Sequence, residues 1–532
     1  MVALHQHPNE TRRQVLQREL DSLKSAEERN RLGQFATPYP LALEIARYIK
    51  SLLKPRHPRP RFADPSIGSG SFYSAASAVF GHDGLEHATG IELDPAFAAA
   101  AEDLWGRSGL HVIRGDFTRV IAQGHCPPAP NLILANPPYV RHHHLDQADK
   151  LRLQAMLLQR TGIKVSGLAG LYVYFLILAT TWQERGGLAA WLIPSEFMDV
   201  NYGAALREFL TKQVTLIRIH RFDPAEAQFN DALVTSAVVV FENTPAPADH
   251  RAEFTFGGTL ENPVVTETLN LSLLRETKKW SGFPRHADND RTAATKTGGP
   301  CLGDFFRIQR GIATGCNAFF VMERAKARQL GLPAAFLRPI LPSPRHLAAT
   351  LIEAEPDGYP QLSPQLCCLD CDLPEDLLAI KHPKLWAYLQ TAESLGIRTG
   401  YILRNRTPWY RQEQRQAAPF LCTYMGRGSQ DKLPFRFIWN RSQALATNLY
   451  LMLTPTGNLA AMLAAHPDRA TRLHQWLGNL TGGELRSEGR VYGGGLNKIE
   501  PKELARISTE SLMDLWPELT PKPARQLELF SP

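Results

Sequence analysis

The chain has 532 residues, enough for roughly two to four domains with full cores. Hydrophobic residues make up 44% and charged residues 21%, which excludes disorder over most of its length. The charge excess is +7, a nucleic-acid footprint only where it concentrates on one surface.

Residues 1–30 are polar and charged, so no secretory leader is read there. With seven cysteines, an odd and low count, a reducing, cytoplasmic setting is expected. Residues 10–30 read as a solvated helix. From 39 to 243 short β-rich runs end at Asp64, Glu92, Arg114, Ala135, Ile193, Arg221 and Phe241. Helical stretches at 39–54, 71–80, 95–107, 169–185 and 203–213 lie between most of them. This alternation predicts an α/β domain with a mostly parallel sheet covered on both faces. The uncharged run between Lys164 and Glu184 is too short in its apolar part to span a bilayer and predicts a buried helix. Runs 215–221 and 233–242 leave no room for a crossover helix, so this last pair is expected to be antiparallel.

The prolines of Asn243–Asp249 mark a boundary. The organisation expected is an N-terminal helical extension (1–30), a catalytic domain (31–245), a connector (246–300) and an α+β domain (301–525).

Chemistry-bearing residues gather at the ends of the β runs. Asp64-Pro-Ser-Ile-Gly68-Ser-Gly70-Ser-Phe72 follows the first run and opens a helix. Its glycines allow a ligand to approach the backbone. Glu92 ends the second run, where a carboxylate can accept from both ribose hydroxyls. Asp116 and Phe117 follow the third; the acid suits an adenine amino group and the ring could pack on the base. Tyr73 leaves the GxGxxG pattern incomplete, which favours an adenosine cofactor without phosphates.

The fourth run passes directly into Asn136-Pro137-Pro138-Tyr139. Two prolines forbid helix and remove two backbone donors. Asn136 adds a side-chain acceptor. Acceptors so placed suit a planar amino group with two N–H donors. Accepting those hydrogens concentrates the nitrogen lone pair for attack on a cationic methyl donor.

Asn136–Tyr139 resembles the catalytic motif of S-adenosylmethionine-dependent amino methyltransferases. Gly33-Gln34-Phe35-Ala36-Thr37-Pro38, placed ahead of the glycine loop, resembles the amino-terminal cofactor motif of the gamma class of DNA adenine-N6 methyltransferases of restriction-modification systems. Asp64–Phe72, Gly90–Asp94 and Asp116-Phe117 match its other cofactor motifs. The resemblance implies a Rossmann-like seven-stranded methyltransferase sheet with an antiparallel last strand, plus a C-terminal target-recognition domain. It implies S-adenosylmethionine held by Thr37, Asp64, Gly68, Gly70, Glu92, Leu93, Asp116, Phe117 and Asn136. It further implies that Asn136 and the carbonyl of Pro137 hold the target amino group, with Pro138 stiffening the loop. Tyr139 would stack on an extruded adenine, with Phe229 on the other face and Phe222 competing for that place.

Residues 398–441 carry nine Lys or Arg, two acids and eight aromatics. Clustered Arg with aromatics suits phosphate contacts and base-edge readout. Residues 309–319 resemble the opening of the family's recognition domain, and the segment around Gly493–Gly495 its close. DNA-binding residues expected on these grounds are Arg310, Arg404, Arg406, Trp409, Tyr410, Arg411, Arg441, Arg486, Tyr492 and Lys498. No metal is expected: His142, His143 and His144 are adjacent, and Cys367, Cys368 and Cys371 lack a second pair. The expected partners are double-stranded DNA and a separately encoded endonuclease; the chain is expected to be a monomer, nucleoid-associated on DNA and not membrane-bound. The competing readings are an RNA or protein-glutamine amino methyltransferase, and a DNA-binding specificity subunit.

Overall fold

The structure, a computed structural model, describes residues 8–53, 59–81, 83–122, 128–223, 235–284, 299–427, 434–480, 485, 490–492 and 496–521. The chain divides into two compact units: residues 1–290 with 492–494, and residues 291–491 with 495–532.

The first unit opens with helices α1 (Pro8–Ser22), α2 (Ala26–Leu32) and α3 (Tyr39–Leu52). An alternating series follows: β1 (Arg61–Asp64), α4 (Ser71–Phe80), β2 (His87–Glu92), α5 (Pro95–Trp105), β3 (Leu110–Arg114), α6 (Phe117–Ala122) and β4 (Leu132–Ala135). Next come α7 (Gln147–Thr161), α8 (Leu171–Trp182), β5 (Leu188–Pro194), α9 (Ala204–Lys212), β6 (Thr215–Arg221) and β7 (Ser236–Glu242). The sheet order begins β3-β2-β1-β4-β5-β7-β6. Strands β3 to β5 pair in parallel, and β7 pairs antiparallel with both β5 and β6. The order reverses between β1 and β4. In open α/β sheets that reversal opens a crevice beyond the strands' carboxyl ends.

Two expectations need correction. The sheet has nine strands, not seven, and residues 246–300 are not simply a connector. Strand β8 (Arg251–Gly258) pairs in parallel with β6, and β9 (Pro263–Asn270) pairs antiparallel with β8. Helix α10 (Leu271–Glu276) follows. The segment looked unpatterned because β9 is an edge strand with most side chains open to solvent. Its partner β8 nevertheless buries Ala252 and Phe254, and Phe254 packs edge-on against Trp280 and Phe283.

Each face of the sheet carries its own core. Helices α3, α4 and α5 cover one face, with Ile45, Ala75 and Trp105 buried there. Helices α8, α9 and α10 cover the other. The uncharged run becomes α8, sunk between neighbours, with nine of its twelve residues buried. Among the described residues no helix is long and apolar enough to cross a membrane.

The second unit is built from short strands. These are β10 (Phe306–Arg310), β11 (Val321–Glu323), β12 (Leu337–Ile340), β13 (Leu351–Ile352), β14 (Leu366–Leu369), β15 (Phe420–Thr423), β16 (Met425–Arg427), β17 (Phe437–Asn440) and β18 (Tyr450–Pro455). They form a five-stranded sheet, β10-β18-β15-β17-β13, and a three-stranded sheet, β11-β14-β12, while β16 pairs antiparallel with residues 496–498. Helices include Pro383–Ser394 and Arg469–Gly478.

Residues beyond 250 are thus part of the first unit's core. Phe254→Ala should lower the unfolding free energy by about 3–5 kcal/mol in urea denaturation. A change under about 1 kcal/mol would mean that β8 packs only loosely.

Candidate functional site

The crevice is built from the turns that follow β1, β2, β3 and β4. Beyond β4, Pro137 and Pro138 hold the chain extended, and its backbone joins the segment after α2. Gly33 ends α2 in the left-handed region (φ 66°), and its carbonyl accepts from Tyr139 N–H at 3.0 Å. A Cβ on Gly33 would lie 2.5 Å from the nitrogen of Tyr139, so only glycine permits this approach.

That contact brings residues 35–37 onto Asn136. Its side-chain Nδ2 donates to the carbonyl of Phe35 at 2.9 Å and to Thr37 Oγ1 at 3.1 Å. The Phe35 carbonyl can only accept, so it fixes which end of the amide is nitrogen. The opposite atom, Asn136 Oδ1, is buried and receives no bond from any described residue. A buried acceptor left open is uncommon, because an unmade bond there costs about 1–3 kcal/mol. It is an oriented acceptor awaiting a donor.

The acids lie at neighbouring strand ends. Asp64 is buried and accepts from the backbone N–H of Ser66 at 2.9 Å. Burial pushes its carboxyl up to about 8; the Ser66 bond opposes the shift and the Glu92 charge adds to it. Burial also raises Glu92. Glu92 accepts from Gly68 N–H at 2.9 Å and Asp94 N–H at 2.8 Å, so the second acid is tied to the glycine loop. Above Gly68 (φ 55°) the space is open: a Cβ there would touch nothing within 4 Å. Gly70 differs. A Cβ there would lie 2.4 Å from the Trp105 indole, so this glycine serves close packing. Leu93, next to Glu92, is 70% exposed and offers an apolar surface at the crevice.

Asp116 is largely engaged by the chain itself. Its Oδ1 accepts from the Thr118 N–H and hydroxyl at 2.8 Å, and its Oδ2 lies 3.4 Å from Arg119 and 3.8 Å from Arg152. Phe117 corrects an expectation. Its ring is 1% exposed and packs on Phe175 and Trp182, so no ring face is open to a base. It starts α6, and the first apolar residue of a helix over a sheet turns inward.

Tyr139 is mostly buried, with its ring centroid 5.5 Å from Phe35 and its hydroxyl bonded to the Leu192 carbonyl at 3.1 Å. Burial raises its phenol. Phe222 is buried and edge-on to His220. Phe229 lies outside the described residues. Tyr172 carries no motif that marks it in the sequence, yet its buried hydroxyl lacks a partner among the described residues. Its phenol is raised by burial, with the charges of Glu196, Tyr202 and Tyr139 adding to the shift.

In the second unit much of the expected DNA face is turned inward. Tyr410 is fully buried and Trp409 nearly so; their rings pack against each other and Trp409 against Phe320. They fill a core that this strand-poor unit builds from aromatics. Arg406 donates to the carbonyls of Ala313 (2.6 Å) and Thr314 (3.4 Å), and Arg441 pairs with Glu353 at 2.7 Å. Arg310 lies over the Tyr424 ring, and Lys498 pairs with Glu500 at 3.0 Å. Arg404 and Arg411 are exposed and make no ion pair among the described residues. Arg486 and Gly493–Gly495 lie outside the described residues, and of Tyr492 only the backbone strand is described. A polar cavity of about 710 Å³, lined by Arg307, Gln309, Glu413, Gln414, Arg415 and Gln416, opens beside β10. Gln309 belongs to the segment 309–319, and Glu413–Gln416 to the basic segment 398–441, that the sequence singles out, whereas Arg307 lies in neither.

Residues 131–229 match the Eco57I restriction-modification methylase family, and residues 286–525 match the C-terminal domain of Type II methyltransferase M.Eco57I. The chain is 30% identical over 492 residues to Type II methyltransferase M.XamI of Xanthomonas campestris pv. amaranthicola, covering 91% of this chain and 86% of that protein. It is 24% identical over 504 residues to Type II methyltransferase M.AccI of Acinetobacter calcoaceticus, covering 92% and 87%. The Type IIL restriction-modification enzyme MmeI, solved in complex with DNA, shares the fold with a TM-score of 0.53 at 12% identity; the match covers 84% of this chain and 65% of that longer one. The chain belongs to the family of Type II restriction-modification methyltransferases.

Proposed function

We propose that the protein transfers a methyl group from S-adenosylmethionine to the N6 amino group of an adenine extruded from double-stranded DNA. The observation that carries this reading is Asn136: both N–H donors are held by residues 35 and 37, and the buried Oδ1 is left open. An acceptor fixed in this way suits an amino hydrogen. An exocyclic amino nitrogen is a weak nucleophile while its lone pair is delocalised. Accepting one of its hydrogens at Asn136 Oδ1, and the other at the Pro137 carbonyl, orients that lone pair for in-line attack. Asn136 Oδ1 and the Pro137 carbonyl would hold the two amino hydrogens while the methyl group is supplied, and the surplus proton would pass to solvent.

The crevice fits the cofactor. When bound, it supplies a methyl group activated by a sulfonium cation. Open space above Gly68, the acids Asp64 and Glu92, and the apolar surface of Leu93 suit its chain, its ribose and its base. Thr37 keeps its own hydroxyl hydrogen for a ligand while it accepts from Asn136. Gly70, Asp116 and the backbone of Phe117 stand around the same crevice.

A base inside a duplex cannot be reached, and extrusion costs a few kcal/mol. Tyr139, which follows the two prolines, is the proposed first face for the base, with Phe229 the proposed second. For the second unit we propose target recognition. Arg404 and Arg411 suit phosphates, whereas Arg307, Gln309 and Gln416 in the polar cavity carry the donors and acceptors that read base edges. Protection of host DNA from a separate endonuclease is the role proposed for the reaction.

Modified-base sequencing of DNA from a methylation-deficient host expressing the chain tests this. N6-methyladenine at one sequence is expected; methyl groups confined to cytosine, RNA or protein in parallel assays would overturn it. Asn136→Ala should lower turnover by about 3 kcal/mol, or roughly a hundredfold, while cofactor still binds. The acids add a pH signature. Asp64 folded sits near 8, above its ordinary range, so its protonation stabilises the cofactor-free fold, and that stability is lost as pH rises through about 8. A bound cation favours the ionised form and expels the proton. Cofactor affinity should therefore rise with pH up to about 8, and calorimetry at pH 7 in two buffers of different ionisation enthalpy should report proton release. Equal heats in both buffers would show that Asp64 is already ionised.

A further inference from the structure

Helix α1 is expected from its sequence to be solvated, but two of its charges are not. Glu10 is fully buried and Arg13 is 3% exposed. They form a two-point pair, with Arg13 Nε and Nη2 donating to the Glu10 carboxylate at 2.8 and 2.7 Å. The remaining nitrogen, Nη1, donates to Ser69 Oγ at 3.0 Å, and Ser69 Oγ donates to Gln17 Oε1 at 2.7 Å. The Ser69 carbonyl accepts from the Trp105 indole N–H at 2.8 Å. Ser69 is the residue between Gly68 and Gly70, and it is itself buried.

Each polar handle named here on Ser69 is therefore held from outside the loop, two of the bonds reaching it from α1. The helix is anchored in turn along α5: Arg12 pairs with Asp103 at 2.5 Å, and Asn9 Nδ2 donates to the Leu104 carbonyl at 2.5 Å. Glycines leave the loop's backbone free to take several conformations. Fixing the serine between them selects one, so the entropy of ordering the loop is lost at folding rather than at binding. A buried ion pair is a poor source of net stability, because desolvation offsets its attraction. Its geometric use is clearer: Glu10 aims the guanidinium, and the guanidinium aims the loop.

We propose that α1 acts as a positioning clamp for cofactor binding, with Glu10, Arg13 and Gln17 holding the glycine loop through Ser69. The proposal rests on the cofactor reading above. It places functional weight on α1, outside the cofactor motifs, and on the serine between the two glycines.

The test uses the full chain and calorimetric binding of S-adenosylmethionine. Ser69→Ala removes both side-chain bonds. The double replacement Glu10→Met with Arg13→Met removes the clamp while filling the space with apolar side chains, which avoids leaving a lone buried charge. Each should weaken cofactor binding by about tenfold, the scale of one charge-assisted bond. Combined, they should again give about tenfold rather than a hundredfold, because both cut the same link. Unchanged affinity in Ser69→Ala, whose single lost hydroxyl leaves the fold standing, would overturn the clamp. So would additive losses in the combined protein. Absence of binding by the unaltered chain would instead sink the cofactor reading, and the clamp with it.

Discussion

The site depends on one side-chain amide held by the chain's own N-terminal segment. Asn136 follows the central strand β4, where two prolines keep the chain extended, yet the loop alone does not orient its amide. The orientation comes from Phe35 and Thr37, about a hundred residues earlier in the chain. Gly33 makes that meeting possible, since any side chain would strike the backbone of Tyr139. Without the two acceptors the amide could turn over and present N–H groups where a substrate also presents N–H groups. The contact thus sets which atom of the amide is offered to the crevice.

Electrostatics at the sheet edge follow from the same compactness. Asp64 and Glu92 end adjacent parallel strands, so the fold brings two carboxylates together in a region shielded from water. Desolvation and mutual repulsion both disfavour the doubly ionised state. The backbone donors of Ser66, Gly68 and Asp94 relieve only part of this. A cation or hydroxyl-rich ligand would relieve the rest. A site strained in its ionised form gains more from such a ligand than one already neutralised by lysine or arginine.

Legibility in the sequence followed the period of the pattern. Strands β1 to β4 end where apolar runs meet an acid or an asparagine, and the structure ends them at Asp64, Glu92, Arg114 and Ala135. Burial on both faces makes β4 a continuous apolar run, with all four residues buried, so it stands out most clearly. Strand β9 was illegible because an edge strand keeps most side chains in water. Phe117 was misjudged because a motif gives a residue's place in the chain but not its direction. Helix α1 was misjudged for a different reason. Glu10 and Arg13 read as solvated charges, and sequence spacing three apart cannot say whether such a pair faces water or a glycine loop.

The second unit shows how a charge count can mislead. Residues 398–441 hold nine cations, but several act as internal cement. Arg406 and Arg436 bond to backbone carbonyls of distant segments, and Arg415 bonds to the carbonyl of Arg310. A unit of short strands leaves many carbonyls outside its sheets. Guanidinium groups, with five donors in a rigid fork, satisfy them where strand neighbours do not. Cations used this way are poorly placed to neutralise phosphates. The exposed remainder, Arg404 and Arg411 among them, keeps its charge in water. Arg307, Gln309 and Gln416 instead line the polar cavity beside β10. Charge left in water attracts any duplex, whereas sequence is read by donors and acceptors that reach base edges.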